Sequence, residues 1–536
     1  PKNGSEFVMA GTINLYKSKN MGIDLQGSAG TANLVAKITN AGSIIGHAKD
    51  ETGAKNEKQI AFGFSNVDSS YDDTMTHIIN KGIISLNAPQ SAGMQLKPED
   101  PHNWQPDWHN LEKENNKYYV QINTGTIPSG NTGKGRVLMK ADNQKDINIA
   151  STGSFGIITV FNPGISALDT VKMKNLSDKQ KVEANLKAQR NLAGTTILPG
   201  GEIGRSASAD SKWTSGVYNS GNINIEGTNS VGVGILHEIQ EVKVGGKINI
   251  GTATAAIGSG SRALVENAVG IYAAVPTRPL LKGETGSHGG TAAKDIGTKT
   301  VEFGPFGHTG DTTKITPGSG TITIGENATK SIGLLVSDSE EELNPGADGT
   351  ARTLKRSGSI TANTGANIIV NGDSNYGFVV KSESYKSEFK TFDVLTVTKG
   401  DTANYGRGIN KGTIAVNGTN SIAFALLKGG DSSNEGGNLI VNPLATAGAQ
   451  GSTAFYGEQG KFTNSGDITV NTPNNTGNRA VLLKGVNSDS TKPIEFTNTA
   501  SISVQGKGNI GVYAEGNAKF THNENGTPAT NKISVG

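Results

Sequence analysis

Short runs of alternating apolar and polar residues recur along the whole chain. Each run is followed by a polar turn, and then by a small residue with two or three apolar ones. The pattern is clearest in residues 219–236 (NSGNINIEGTNSVGVGIL) and 410–427 (NKGTIAVNGTNSIAFALL). A period of two places Ile223 and Ile225 on one face of a strand. Weaker or similar copies occupy residues 10–25, 79–96, 143–160, 318–336, 365–380, 464–483 and 498–514.

The spacing between copies predicts how they assemble. Val416, Val441, Val470 and Val504 occupy equivalent positions and are separated by 25, 29 and 34 residues. One such unit cannot bury its apolar face alone, whereas stacked copies build a continuous apolar column. The fold expected is therefore all-β, a right-handed parallel β-helix (β-solenoid) with loop insertions and one short helical insertion. About 25 residues per coil would give a rod of about 100 Å. A set of antiparallel sandwiches with the same turn chemistry is the alternative.

Composition agrees with many short strands joined by turns. The chain has 536 residues, 73 glycines, 5% aromatic residues and 34% hydrophobic residues, with a net charge of +2. Low hydrophobicity without high net charge argues against a disordered chain. The near-neutral charge and the absence of a basic run argue against a nucleic-acid partner. With no cysteine, the chain has no disulfide framework and no thiolate chemistry.

One continuous β-helix segment is expected over residues 9–536. Residues 1–8 are predicted to be a vector-derived tag, because Gly4-Ser5-Glu6-Phe7 resembles a cloning-site remnant. Insertions interrupt the repeat near residues 97–141, 163–215, 275–317, 337–358 and 381–408. The second of these contains the predicted helix, in which Ser177 and Gln180 resemble a capping box. Binding sites of repeat proteins lie more often in such loops than in the core.

The first insertion concentrates the scarce aromatic residues of the chain. Exposed aromatic rings beside amides and carboxylates suit contact with a protein or a sugar. The same rings could instead form a small satellite core that holds the loop against the rod. The predicted ligand-binding residues are His102, Trp104, Asp107, Trp108, His109, Tyr118 and Tyr119.

No motif for catalysis stands out, and the sequence predicts a protein that is not an enzyme and needs no cofactor or metal. Gly-Asp-Ser occurs at Gly372–Ser374 and Gly430–Ser432, but neither copy is followed by the glycine of a serine-protease motif. Both copies are expected in turns. The spacing of His102, Asp107 and His109 fits no established metal site. His288 and His308 lie in a Gly-, Pro- and Thr-rich stretch that is expected to be a surface loop.

The repeat lines, including INKGTIAVNGTNSIAFALL and NIGVYAEG, resemble passenger domains of type V (type Va) autotransporters. They are most similar to the large fusobacterial outer-membrane adhesins of the RadD-like, galactose-inhibitable group. The resemblance implies an extracellular bacterial surface protein of the outer membrane that binds host-cell glycans or receptors, or other bacteria. It implies membrane attachment only through a C-terminal β-barrel outside this chain. A monomeric rod is expected.

Three other functions stay open at the level of sequence. A vacuolating-toxin-like passenger would share the same architecture. A passive shaft would only present a distal tip. A polysaccharide-active β-helix enzyme would require acidic and basic groups gathered on one outer face of the rod, and the only candidate cluster in the sequence surrounds Asp107.

Overall fold

Three long parallel sheets make up the fold of this chain. The structure is a computed structural model. It describes residues 6–28, 34–68, 74–96, 111–114, 117–120, 137–159, 216–235, 239, 241–252, 264–273, 301–306, 319–343, 352–382, 406–428, 431–441, 450–471, 477–486, 493–523 and 532–536. These residues contain no helix. The chain visits sheet 1, sheet 2 and sheet 3 in turn, and each strand pairs with its counterpart in the next coil.

Sheet 1 contains Glu6–Met9, Leu34–Asn40, Thr74–Asn80, Val137–Asn143, Gly216–Asn219, Glu241–Val244, Val301–Phe303, Ser359–Ala362, Arg407–Asn410, Asp431–Asn434, Gly460–Asn464, Ile494–Asn498 and Ala518–His522. Sheet 2 contains Thr12–Leu15, Ser43–Gly46, Ile83–Leu86, Ile147–Ile149, Asn222–Ile225, Lys247–Ile250, Thr321–Ile324, Asn367–Val370, Thr413–Val416, Asn438–Val441, Ile468–Asn471, Ile502–Gln505 and Ile533–Val535. Sheet 3 contains Met21–Ser28, Ile60–Asp68, Ala92–Leu96, Phe155–Thr159, Val231–Ile235, Val269–Ala273, Ile332–Leu343, Tyr376–Ser382, Ile422–Lys428, Thr453–Gly457, Arg479–Gly485 and Ile510–Gly516. Outside these rows lie Leu111–Glu114, Lys117–Val120, Val265–Glu266, Ala328–Thr329 and Arg352–Ser357.

These strands form a three-sided parallel β-helix, as the repeat predicted. Twelve coils have a strand in each sheet, and a thirteenth adds strands to sheets 1 and 2. The register pairs Val416 with Val441, Val441 with Val470 and Val470 with Val504, which confirms the predicted equivalence. The predicted length was wrong. Thirteen rungs give about 60 Å, because the insertions raise the average coil well above 25 residues.

Sheet 2 supplies the most regular part of the core. Its first inward row holds isoleucine in every coil except coil 10, where Leu439 replaces it. Ile223 and Ile225 are fully buried, as the alternation predicted. In the last coils, sheets 1 and 3 add a stack of phenylalanines. Its ring centroids lie 4.2 Å apart at the closest pair, Phe455 and Phe462.

The small residue of the repeat is the second residue of each sheet 3 strand. It is glycine in eight coils and alanine in four. A Cβ atom at Gly232 would lie 2.6 Å from the carbonyl oxygen of Gly270 in the next coil, and 3.3 Å from Ile225. The position therefore faces the core where sheet 3 turns away from sheet 2, and it has no room for a large side chain. The column consists of Gly22, Ala61, Gly93, Gly156, Gly232, Gly270, Gly333, Gly377, Ala423, Ala454, Ala480 and Gly511.

Buried asparagines close the corner between sheets 1 and 2. In each of eight coils the sheet 1 strand ends with an asparagine that is fully buried. Asn464, for example, donates one amide hydrogen to Gly466 in its own corner, at 2.7 Å, and one to Asn498 in the next coil, at 2.6 Å. Coils 6–8 lack this residue and carry Val244, Phe303 and Ala362 instead. The ladders are Asn40, Asn80, Asn143 and Asn219, and then Asn410, Asn434, Asn464 and Asn498.

A second ladder closes the corner between sheets 2 and 3. The residue before each sheet 3 strand is small or polar, and its backbone N–H usually donates to the side-chain oxygen of the same position in the next coil. Ser91 donates to Ser154, and Ser154 to Ser230. Ala268 interrupts the ladder, because it has no oxygen to offer Ser230. The preceding residue has a positive φ in all twelve coils, and it is glycine in only four of them.

Some segments that were predicted to be insertions or turns contain strands. The window 337–358 contains an antiparallel hairpin in which Glu341 pairs with Leu354. The window 275–317 contains the sheet 1 strand Val301–Phe303. Gly372–Ser374 lies in a turn as expected, but Asp431 and Ser432 begin a sheet 1 strand, so that part of the turn prediction was wrong. The predicted helix, His288 and His308 lie outside the described residues.

Candidate functional site

The four longest connections all leave the same corner of the β-helix, between sheet 3 and sheet 1. Successive coils stack about 4.8 Å apart, so insertions from coils 3 to 8 emerge within about 25 Å along one edge. The connection from Thr159 to Gly216 spans 56 residues, whereas the one from Gly516 to Ala518 spans one. The sheet 3 strands that precede the five predicted insertions end at Leu96, Thr159, Ala273, Leu343 and Ser382.

The residues predicted to bind a ligand lie in the first of these connections. Tyr118 and Tyr119 belong to the strand Lys117–Val120, which pairs antiparallel with Leu111–Glu114. Tyr119 pairs with Glu112, and Tyr118 pairs with Lys113. Both tyrosines therefore lie in one two-stranded ribbon. The other five predicted residues, His102, Trp104, Asp107, Trp108 and His109, lie outside the described residues.

Beside the insertion corner, the outer face of sheet 1 carries a cluster of charged and polar side chains. We call it the sheet 1 cluster: His77, Lys140, Asp142, Tyr218, Glu241 and Lys243, which belong to coils 3–6. Parallel register places these residues in two adjoining outward rows. Lys140 pairs with His77 on one side and with Gly216 on the other, and Asp142 pairs with Tyr218. The strands that carry Lys140 and Tyr218 directly follow the first two insertions.

Tyr218 owes its orientation to Gly216. A Cβ atom at Gly216 would lie within 2.8 Å of the Tyr218 ring and hydroxyl, so only glycine leaves room for the ring to lie across the strand. From there the Tyr218 hydroxyl donates to Oε2 of Glu241 in the next coil, at 2.5 Å. Lys243 Nζ lies 2.6 Å from the other oxygen of Glu241. One carboxylate thus ties together a phenol and an ammonium from two adjacent coils.

Asp142 forms the other half of the cluster. Its Oδ2 accepts a hydrogen bond from Nε2 of Gln144 at 2.6 Å and lies 4.0 Å from Nε2 of His77. Although it is on the outer face, only 3% of Asp142 is exposed, and 2% of Tyr218. His77, Glu241 and Lys243 keep more exposure, with side-chain values of 17%, 33% and 24%. The cluster therefore has a buried base and an accessible rim.

The electrostatics of the cluster favour fixed recognition over proton transfer. Burial raises the pKa of Tyr218, and so do its hydrogen bond to Glu241 and the charges of Glu241 and Asp142. Tyr218 is therefore a permanent donor at neutral pH. An acid–base catalyst needs a pKa near the working pH, whereas Tyr218 moves away from it and both oxygens of Glu241 already have partners. The rim offers a carboxylate, an imidazole and an ammonium as fixed polar contacts.

Sequence reasoning did not find this cluster. Its residues are spread from position 77 to 243, with two long insertions between them, and no local motif joins them. The available signal was the alternation in LMKADN (138–143), GVYN (216–219) and EVKV (241–244), in which a charged or aromatic residue stands beside each inward apolar one. Aligning those three strands on their last residue would have placed Asp142, Tyr218 and Lys243 in one row.

Comparison with known proteins adds no relative: no family model, no curated protein and no solved structure matches this chain. Within the described ranges, no group of three or more His, Cys, Asp or Glu side chains could hold a metal ion. Among the same residues, no helix is long and apolar enough to cross a membrane.

Proposed function

We propose that this chain is a segment of an extracellular bacterial surface adhesin, which binds host-cell glycans or receptors, or partner bacteria, and performs no catalysis. One observation carries the proposal: the four longest connections leave the rod along one edge. A shaft that only projected a distal tip would need no such grouping. A rod that binds along its side gains from it, because loops that start from neighbouring coils can contact one ligand together.

The sheet 1 cluster supports the same proposal. It lies beside the insertion edge, and its accessible rim mixes charges of both signs. Glu241 and Lys243 are held in place by each other and by Tyr218, so a ligand would meet pre-oriented groups and little side-chain entropy would be lost on binding. The bonds that Glu241 already makes to Tyr218 and Lys243, and the raised pKa of Tyr218, disfavour a polysaccharide-active enzyme built on this face.

Binding of the purified chain to host cells and to partner bacteria tests the proposal, with free galactose, free arginine or buffer as competitor. We expect saturable binding that one competitor blocks. The double variant Trp104→Ala/Trp108→Ala should weaken binding if the first insertion contacts the ligand, and Glu241→Gln/Lys243→Met should weaken it if the cluster rim does. Asn249→Ser, on the outer face of sheet 2, is the matched control and should bind normally.

Each alternative function has its own outcome. A folded, β-rich chain that binds nothing would contradict the adhesin proposal and favour a passive shaft. Release of dye from lipid vesicles would favour a vacuolating-toxin-like passenger. New reducing ends from a polysaccharide substrate would favour an enzyme.

A further inference from the structure

The outer face of sheet 2 is polar but carries few charges. Its central row contains no Asp, Glu, Lys or Arg in any of the thirteen coils, although 18% of the chain is charged. The neighbouring outward row has only Asp146, Lys247, Asp467 and Lys532, spread over its length. The central row is Asn14, Ile45, Ser85, Asn148, Asn224, Asn249, Thr323, Ile369, Ala415, Ile440, Thr469, Ser503 and Ser534.

This face is also open. Every residue of its central row is at least partly exposed, and Ile83 in the neighbouring row is 40% exposed. The outer face of sheet 3 is more apolar, but many of its side chains are already covered: Val379 is 2% exposed and Leu482 is 8% exposed. The outer face of sheet 1 carries the charged cluster and adjoins the insertions. Sheet 2 lies away from the insertion corner.

We infer that the outer face of sheet 2 is the contact surface between two copies of this chain, related by a two-fold axis. When the two-fold axis passes through the central row, that row meets the same row of the other copy. Like charges on the row would then oppose each other, so an uncharged central row suits this arrangement. Depletion of charged residues is also the compositional mark of an interface centre, whose overall polarity resembles that of ordinary surface.

The size of the face is sufficient. Thirteen rungs extend about 60 Å, and four residues of strand extend about 13 Å, so the face covers about 800 Å². That is the area each partner contributes to a stable interface of standard size. Because the whole length is needed to reach it, the two copies overlap fully. Full overlap sets coil 7 against coil 7, whether the rods run parallel or antiparallel, and so brings the two copies of Thr323 together.

The contacts expected are those of a flat polar sheet. Asn224 donates to Asn148 and Asn249 donates to Asn224 along this face, both at 2.8 Å, so the amides are aligned in a row. Their remaining hydrogens and the hydroxyls of Thr and Ser can bond across the interface. Ile45, Ile369 and Ile440 add apolar contact. The resulting dimer replaces the monomeric rod expected from sequence.

Sedimentation velocity over a concentration series tests the inference. The wild-type chain should sediment as a dimer at micromolar concentration. Thr323→Lys and Thr323→Glu should each weaken dimerisation by about 100-fold or more, since each sets like charges against each other. An equimolar mixture of the two variants should form dimers again. Thr361→Lys, at an outward position of sheet 1 in coil 8, is the matched control and should dimerise normally.

The outcomes separate cleanly. Thr323 is partly exposed, so both variants should retain the wild-type circular dichroism spectrum, and loss of dimers cannot then be loss of folding. A wild-type chain that stays monomeric at about 100 µM, well above the constants usual for interfaces of this size, would overturn the inference. So would a Thr323→Lys variant that dimerises as well as wild type, or a Thr361→Lys variant that does not.

Discussion

Two corners of the same β-helix differ in the length of the connections that they contain. At the corner between sheets 1 and 2, every connection that follows a buried asparagine is two or three residues long. At the corner between sheets 3 and 1, connections range from one residue to 56. Both corners join parallel strands that stack coil on coil, so the stacking alone does not explain the difference. The difference lies in what is buried inside the turn.

A primary amide has two donor hydrogens, and Asn143, Asn410, Asn434 and Asn464 use them in two directions. One hydrogen bonds to a carbonyl oxygen two or three residues ahead, which fixes the length of the connection. The other bonds to the asparagine of the next coil, which fixes the spacing between the two coils. The three longer connections at this corner, 304–320, 363–366 and 523–532, follow Phe303, Ala362 and His522, none of which is an asparagine. The asparagine ladder thus excludes insertions from its corner, and the corner between sheets 3 and 1, which has no such ladder among the described residues, accepts long loops.

Inserting the same loop at each corner should show the largest effect. A Gly/Ser loop of about eight residues placed after Ser465 pulls Gly466 away from Asn464 and leaves buried amide groups without partners, at a cost of about 3–5 kcal/mol. The same loop placed after Glu458, in the sheet 3 to sheet 1 connection, should cost about 1 kcal/mol or less, since it adds only closure entropy. Thermal and urea unfolding followed by circular dichroism measure both. Equal losses would contradict the account of the corners.

Replacing a single asparagine compares an amide buried in the ladder with an amide on the outer face of the β-helix. Asn464→Leu should lower the free energy of unfolding by about 3 kcal/mol, because it removes the bonds to Gly466 and Asn498 and leaves one Nδ2 hydrogen of Asn434 without a partner. Asn249→Leu removes the same kind of amide-to-amide bond from the outer face of sheet 2, where water replaces it as long as the chain is kept dilute enough to be monomeric. Its loss should stay within about 0.5 kcal/mol. Similar losses would mean that burial is not what makes the ladder strong.

The sequence predicts a sheet of this fold only where the same residue type recurs at the same inward position from coil to coil. Sheet 2 and the start of sheet 3 were predicted because isoleucine at inward positions and a small residue after the turn are nearly invariant from coil to coil. Sheet 1 was not predicted as a third strand. Its matching inward position is Ile38, Ala141, Gly408, Ser432 or Phe496 in different coils, because the core there adapts to whatever sheet 3 supplies. Only the terminal asparagine recurs.

The sheet 1 cluster was not predicted from the sequence for a related reason. Predicted site residues were chosen because they are close together in the chain, as His102 to His109 are. The sheet 1 cluster is instead assembled by register across coils, so Tyr218 and Glu241 meet only because Gly216 leaves room for the ring. Finding it requires the coil boundaries first, and the long insertions hide those boundaries.

The gap at Ala268 allows a gain of stability at the third corner. Ala268→Ser would supply a side-chain oxygen for the backbone N–H of Ser230 and continue the ladder towards Ser331, which Ala268 already contacts through its own N–H. We expect the free energy of unfolding to rise by about 1 kcal/mol. Ala423→Ser, in the small-residue column, is the control: it buries a hydroxyl outside the ladder and should lower stability by about 1 kcal/mol or more. A loss in Ala268→Ser equal to that of the control would show that the ladder adds no stability at this position.

The smallest expected effect concerns the charge of Glu435, which lies in a short connection between sheets 1 and 2. Burial raises the pKa of Glu435, but its hydrogen bonds from Ser433 and Lys411 outweigh burial and hold the pKa below its ordinary value. A carboxyl with a lowered folded pKa contributes stability above its unfolded pKa, and that contribution disappears as the pH falls through the folded pKa. Glu435→Gln should therefore cost less than about 1 kcal/mol at pH 7, since the ion pair is half-exposed and screened by solvent. The difference from wild type should shrink as urea unfolding is repeated from pH 5 towards pH 3. A difference that stays constant over that range would show that Glu435 acts through its hydrogen bonds and not through its charge.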